Sequence, residues 1–228
     1  MKKFPILLAL PILIYSQTTD NLKPEETFNK KLYAKGALVF GPGFESIKVG
    51  EKFYEDEDKD PEDINIMPGG GFGIEAAIGY DITKNLGFEL SIGTQNSGSY
   101  IDEDNRAQFK KAQIRVSGFY RIPIEKKFTP YFGAGLSMIL SAKYLEDSMG
   151  IESEVVYTKP LGFHVLGGME WRTPNSPLFW YGEARFIILG DFEVDEADIA
   201  DWIIEEVGID TMGGNGLQFS FGIGYYIN

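Results

Sequence analysis

"GIEAAIGYDITKNLGFELSIG", residues 73–93, holds two apolar stretches around a short polar turn, and each stretch carries a glutamate at its middle, Glu75 and Glu89. Read from Phe72, the even positions Phe72, Ile74, Ala76, Ile78, Tyr80 and Ile82 are apolar, while Gly73, Glu75, Ala77, Gly79 and Asp81 are small or charged. That is the period of two that a β-strand imposes, since successive side chains point to opposite faces. The parity persists after the turn, with Leu86, Phe88, Leu90 and Ile92 set against Gly87, Glu89, Ser91 and Gly93. Matching the two apolar faces puts Ile82 opposite Leu86 and leaves the loop Thr83-Lys84-Asn85, whose last residue tolerates a left-handed backbone.

The pattern recurs. Residues 32–49 read as a strand with Ala34, Leu38 and Phe40 on one face. Residues 111–122 set Ile114, Val116, Tyr120 and Ile122 against Gln113, Arg115, Ser117 and Arg121. Residues 129–142 set Phe132, Leu136, Met138 and Leu140 against Tyr131, Gly133, Gly135 and Ser137. Residues 162–172 set Phe163, Val165, Met169 and Trp171 against His164, Gly168, Glu170 and Arg172. In 179–189, Trp180, Phe186 and Ile188 oppose Glu183 and Arg185, and in the last strand Leu217, Phe219, Phe221 and Tyr225 oppose Gln218, Ser220 and Gly222. That makes eight amphipathic strands, joined by connections that alternate long and short.

An antiparallel sheet must bury its apolar face. A soluble sandwich or ligand-binding barrel turns that face inward; a membrane barrel turns it to lipid and keeps a polar interior. Here the polar face carries Glu75, Glu89, Glu170 and Glu183 with Arg115, Arg121, Arg172 and Arg185, acids and guanidinium groups that can pair inside a narrow tube. The apolar face carries Tyr80, Tyr120, Phe132, Trp171, Trp180 and Tyr225 near the short turns, where an aromatic girdle at a membrane interface belongs. The fold expected is therefore all-β: an eight-stranded antiparallel up-and-down transmembrane β-barrel, with short periplasmic turns and long extracellular loops.

The N-terminus agrees. "MKKFPILLALPILIYSQ" has two lysines, an apolar run from Phe4 to Tyr15 and a small residue, Ser16, which is the layout of a secretory signal. The run is shorter than the roughly 20 residues a spanning helix needs. The expected organisation is a signal peptide over 1–16, a short periplasmic segment over 17–31 and the barrel over 32–228. Removing Lys2 and Lys3 takes the formal charge from −13 to −15, so no nucleic-acid partner is expected. There is no cysteine, which excludes disulfides, thiolate metal sites, a cysteine nucleophile and a lipoprotein anchor.

The signal, the eight strands, "TPYFGAGLS" (129–137) and the closing "LQFSFGIGYYIN" resemble the small outer-membrane β-barrel superfamily, of the OmpA/OmpX and porin-like type, over residues 32–228. The resemblance implies residence in the bacterial outer membrane, contact with lipid and lipopolysaccharide, and recognition of the last strand by the barrel-assembly machinery. This chain ends Tyr225-Tyr226-Ile227-Asn228 where an aromatic is usual. The Ser16-Gln17 context is similar to that of secreted proteins of Bacteroidota.

No motif names a reaction, and no enzyme activity or cofactor is expected. Asp56, Asp58 and Asp60 have the alternate spacing of a calcium loop, but Pro61 stands where glycine should follow and Met67 where the closing glutamate should be, so at most they share a divalent cation with the anionic surface. In the last loop Asp195 and Gly208 would bracket a short helix whose Ile199, Trp202 and Ile203 share a face, either to plug the barrel mouth or to serve as a partner-binding lid. His164, the only histidine, points inward with no serine partner evident, and is read as a hydrogen-bonded filler. The functional expectation is a closed, charge-paired lumen with a structural role, or acidic outer loops that meet an unknown extracellular partner. The alternatives are a narrow passive channel and a soluble secreted ligand-binding barrel.

Overall fold

Each strand of the barrel repeats the parity of residues 73–93, and hydrogen-bonding those strands edge to edge leaves one continuous apolar outer face. The computed structural model describes residues 32–52, 62–100, 105–122, 127–148, 151–173, 176–197 and 208–227. Residues 1–31, with the expected signal and periplasmic segment, lie outside them, as do Asp56, Asp58 and Asp60. Within the described residues the chain forms β1 (Leu32–Gly41), β2 (Ile47–Lys52), β3 (Glu62–Ile66), β4 (Gly71–Asp81), β5 (Leu86–Tyr100), β6 (Asn105–Arg121) and β7 (Phe128–Ser148). There follow β8 (Ile151–Tyr157), β9 (Leu161–Arg172), β10 (Leu178–Leu189), β11 (Phe192–Ala197), β12 (Thr211–Met212) and β13 (Gly216–Ile227).

Eight of these strands, β1, β4, β5, β6, β7, β9, β10 and β13, pair antiparallel each with the next, and β13 pairs with β1 to close the barrel. The stagger follows from the register. A row of paired residues runs from Tyr226 through Tyr33, Gly79, Glu89, Ser117, Gly135, His164 and Ile187. It returns to the starting strand at Gly216, ten residues from where it began. With a rise of ~3.3 Å per residue and a strand spacing of ~4.8 Å, eight strands with that stagger tilt by about 41° around a radius of about 8 Å. Such a tube has room inside for side chains and little else.

The three turns at the periplasmic end are short. In the first, Ile82 faces Leu86, as the matching of faces requires, and the Thr83 hydroxyl accepts hydrogen bonds from the Asn85 and Leu86 amides. At the outer end the expected loops are largely strand. β5, β6 and β7 run on beyond the barrel wall, and β8, β11 and β12 extend that sheet. The strand expected over 32–49 breaks after Gly41, because residues 42–46 cross the top of β13, with Gly43 bridging Gly216, before β2 turns back against β3. Asp195, expected to cap a helix, lies instead within β11, where the backbone pairs with β8 around a bulge. Ile199, Trp202 and Ile203 lie outside the described residues. Gly208 takes the left-handed conformation expected of it, with φ 73°.

Near the periplasmic end, large rings on one strand lie over glycines directly opposite on the next. Tyr33 covers Gly79, Phe179 covers Gly224, Tyr131 covers Gly168, and Phe119 covers Gly87. A glycine weakens a strand by itself, but here its missing side chain makes the berth for a ring. Replacing Gly79 by Val drives a branched side chain into the Tyr33 ring and should cost about 1–3 kcal/mol. Gly36→Val, on the lipid face with nothing within 4 Å of its Cβ position, should leave stability unchanged or raise it slightly. The urea midpoint of the heat-modifiable band on a gel measures both.

Candidate functional site: the lumen and its outer cap

The register places Glu75, Glu183, Arg115 and Arg185 in one group, Arg121, Glu170 and Arg172 in a second that reaches the rim, and Glu89 between them. In the middle of the lumen Glu75 accepts from both Arg115 and Arg185, the latter at 3.0 Å. Arg185 also donates to Glu183 at 2.5 Å, and Arg115 donates to the Gln218 side-chain amide oxygen Oε1 at 2.6 Å. Glu75 and Glu183 are on β4 and β10, Arg115 on β6, and Gln218 on β13, so this cluster ties together strands from opposite sides of the barrel. Nearer the periplasm Arg121 binds Asp81 at 2.5 Å and Glu170 at 2.9 Å. Arg172 reaches Glu170 at 3.2 Å from the rim, where its side chain is 37% exposed; the Arg115, Arg121 and Arg185 side chains are 1% exposed.

Between the two groups sits Glu89, bound by Lys35 at 2.7 Å and by the Tyr33 hydroxyl at 3.1 Å. The Lys35 ammonium also lies 4.4 Å from the centre of the Tyr181 ring, a cation–π distance. Tyr131 donates to Glu183 and Tyr226 to Asp81, so Tyr33 and Tyr131, which cover glycines, also satisfy carboxylates. Lys35 and Asp81 were therefore missing from the expected network. Parity alone would have included both, since each occupies a polar-face position of its strand.

His164 corrects one expectation. The imidazole stands between two serines, with Ser117 Oγ 2.9 Å from Nε2 and Ser137 Oγ 2.8 Å from Nδ1. The serines sit on the neighbouring β6 and β7, a contact that only the register makes visible. The side chain is fully buried, and the charged groups that bear on it are the guanidinium groups of Arg115 and Arg185. A serine–histidine pair that activates a hydroxyl needs an anion to steady the imidazolium. Two cations do the reverse.

Above this level the interior changes character. Phe109, Tyr157 and Phe192 pack ring against ring in a cluster with Tyr144, Ile139, Val155, Ile187, Leu189, Ile209 and Met212, and the first hairpin adds Ile47 and Ile66. The Tyr157 hydroxyl donates to the Ile209 carbonyl at 2.9 Å. Burial and the charge of Asp210 hold that hydroxyl well above its ordinary pKa. The mouth is crossed by three glycine-rich segments, 42–44, 68–71 and 213–216, whose backbones touch: Phe44 N–H donates to Asn215 and Leu217 N–H to Pro42, each at 3.0 Å. A Cβ on Gly43, Gly69, Gly70 or Gly216 would collide with the facing main chain. Lys111, buried beneath, donates to the Pro68 carbonyl at 2.8 Å and ties β6 to this crossing.

The outward residues form the complementary surface. Tyr80, Tyr120, Phe132, Trp180 and Tyr225 are exposed, Trp171 is half-buried, and Trp171 and Trp180 are direct cross-strand partners. Tyr120 meets Phe132, and Trp180 stacks on Phe221. Leu38, Ile74, Ile78, Leu90, Val116, Leu136 and Val165 are each about half exposed or more and continue the belt around the barrel. So wide an exposed apolar surface is a contact surface for lipid, not for water.

Glu75→Gln leaves two buried guanidinium groups facing each other and should cost about 3–5 kcal/mol. Glu154→Gln removes only a half-exposed partner of Lys143 and should cost about 0–1 kcal/mol. In the cap, Phe192→Ala should speed proteolysis of the outer segments while the membrane-embedded barrel keeps its gel shift.

The fold has counterparts among known proteins. Residues 7–228 match the model of a family described as the outer membrane protein beta-barrel domain. The outer membrane protein OprG from Pseudomonas aeruginosa is similar in structure, with a TM-score of 0.56 at 10% identity, over 87% of this chain and 96% of that one. Neisserial surface protein A (NspA) is similar with a TM-score of 0.52 at 16% identity, over 86% and 97%. At these identities the likeness is one of fold. No curated protein matches the chain in sequence.

Proposed function

We propose that this chain, which belongs to the outer membrane protein β-barrel domain family and resides in the bacterial outer membrane, is a closed barrel that conducts nothing and acts at the cell surface through its outer segments. The observation that carries this reading is the filling of the lumen. Arg115, Arg121, Arg185, Tyr33 and Phe179 are each at most 1% exposed, and they stand at successive levels of a tube about 8 Å in radius. Apolar packing and glycine-lined backbone contacts cover the outer mouth in addition. The soluble alternative required the apolar face to lie inside, whereas it lies outside.

The acidic character of the surface supports a role in contact. The first and last outer segments, 42–70 and 190–215, flank the β1–β13 seam and touch each other, the Glu45 carboxylate accepting from the Gly213 amide. Together they hold most of the chain's excess acid. In this reading they meet lipopolysaccharide and an extracellular partner, the C-terminal strand meets the assembly machinery, and the protein has neither cofactor nor catalytic centre.

Planar-bilayer conductance of the refolded mature chain tests the reading, with insertion verified by the heat-dependent gel shift. Inserted protein should be silent. Steady unitary steps that change with Glu75→Gln or Arg115→Gln would establish the lumen as a narrow channel instead.

A further inference from the structure

Charge is distributed unevenly around the outer rim. Beside β1 and β10 the first charged residues above the apolar belt are acidic, Glu45 and Asp191. Over β6, β7 and the start of β9 they are basic. Going outward, Ile114 and Ala112 give way to Lys110, Met138 and Leu140 give way to Lys143, and Leu161 gives way to Lys159. Lys110 and Lys159 are exposed, and the Lys143 side chain is 41% exposed.

Two features mark these lysines as more than a solvated rim. Lys110 and Lys143 stand directly opposite each other in the β6–β7 register, an arrangement of like charges that works against the sheet. Among the described residues one acid answers them: Glu154, 2.6 Å from Lys143, while Lys110 and Lys159 make no ion pair. The stagger then sets their heights. Tilted strands carry the three residues to within about 3 Å of a common level, although they come from three different strands. The result is a level arc of ammonium groups where the apolar belt ends.

We propose that Lys110, Lys143 and Lys159 form a seat for the phosphate of an outer-leaflet glycolipid of the lipid A class, whose acyl chains lie on Ile114, Met138, Leu140 and Leu161. The proposal rests on placement in the outer membrane and adds a lipid site on the barrel wall, at the foot of the sheet that β8 and the acidic β11 extend, where Glu193 bonds Thr158 beside Lys159. An ammonium on a flexible stem suits a phosphate as a point charge with three donors. At the edge of the hydrocarbon, attraction is less screened than in bulk water. The seat also gives the barrel a preferred lipid on one flank.

The test uses the mature chain inserted in phosphatidylcholine vesicles, its insertion checked by the gel shift, and titrated with bisphosphorylated lipid A carrying a fluorescent acyl chain. The triple variant Lys110→Gln, Lys143→Gln, Lys159→Gln should bind about 100-fold more weakly, roughly fivefold for each lysine. The corresponding triple Arg variant should retain binding. Dephosphorylated lipid A should reproduce the loss on the unmodified chain. Equal binding by the Gln variant and the unmodified chain would overturn the seat. So would equal binding of phosphatidylglycerol and lipid A, which would reduce the arc to a general anionic attraction. A failed gel shift, in contrast, would overturn the membrane placement itself.

Discussion

The pairing of β1 with β13, from Leu32 opposite Ile227 to Phe40 opposite Phe219, joins the two ends of the sheet. In hydrocarbon no water is present to satisfy a free strand edge, so a sheet that enters it must close. Closure with eight strands and a stagger of ten residues then dictates the radius, and the radius dictates what the interior can hold. Every other feature of the lumen follows from that narrow bore: the small residues, the long charged side chains that meet in the middle, and the rings set over glycines.

Charges inside such a tube are costly to dehydrate, and they persist because each finds a partner. Glu75 is shared by two guanidinium groups, Glu89 by an ammonium and a phenol, and Arg121 by two carboxylates. Arginine serves this arrangement well because its donors form a fixed fork that can address two acids at once. Removing one member strands the others, so the network holds the strands in register even where its net contribution to stability is small.

Above the membrane the polarity of the sheet reverses. β6 keeps its parity throughout, yet its inward residues change from Arg115 and Gln113 to Phe109 and Ala107, and its outward residues from Val116 and Ile114 to Lys110 and Gln108. β7 makes the same transition through a bulge beside Ala112 and Gln113, where Leu140 is unpaired. Below it Ser137 and Ile139 face inward; above it Ala142 and Tyr144 do. A sheet surrounded by lipid wants apolar residues outside, and the same sheet surrounded by water wants them inside. The point of reversal marks the outer boundary of the membrane on these strands. It also explains why the segments expected as loops are ordered strands with a hydrophobic core of their own.

The local alternation of residues was enough to read the eight barrel strands, their facing and the short turns, and to put Glu75, Glu89, Arg115, Arg121, Glu170, Arg172, Glu183 and Arg185 on the polar face; β2, β3, β8, β11 and β12 lie in segments expected as loops. That information is local, since a period of two is written in neighbouring residues. Inversion of the sheet, apolar side out, was legible for the same reason: long charged side chains alternated with glycine on one face and girdle aromatics with aliphatics on the other. What the sequence could not convey was who meets whom across the barrel. The two serines at His164, the sharing of Glu75, the inclusion of Lys35 and Asp81, the crossing of three glycine segments and the level arc of lysines all depend on register and stagger. Those are set by closure of the whole sheet, and a residue pair such as Arg185 and Glu75, 110 positions apart, becomes a contact only when the last strand has found the first.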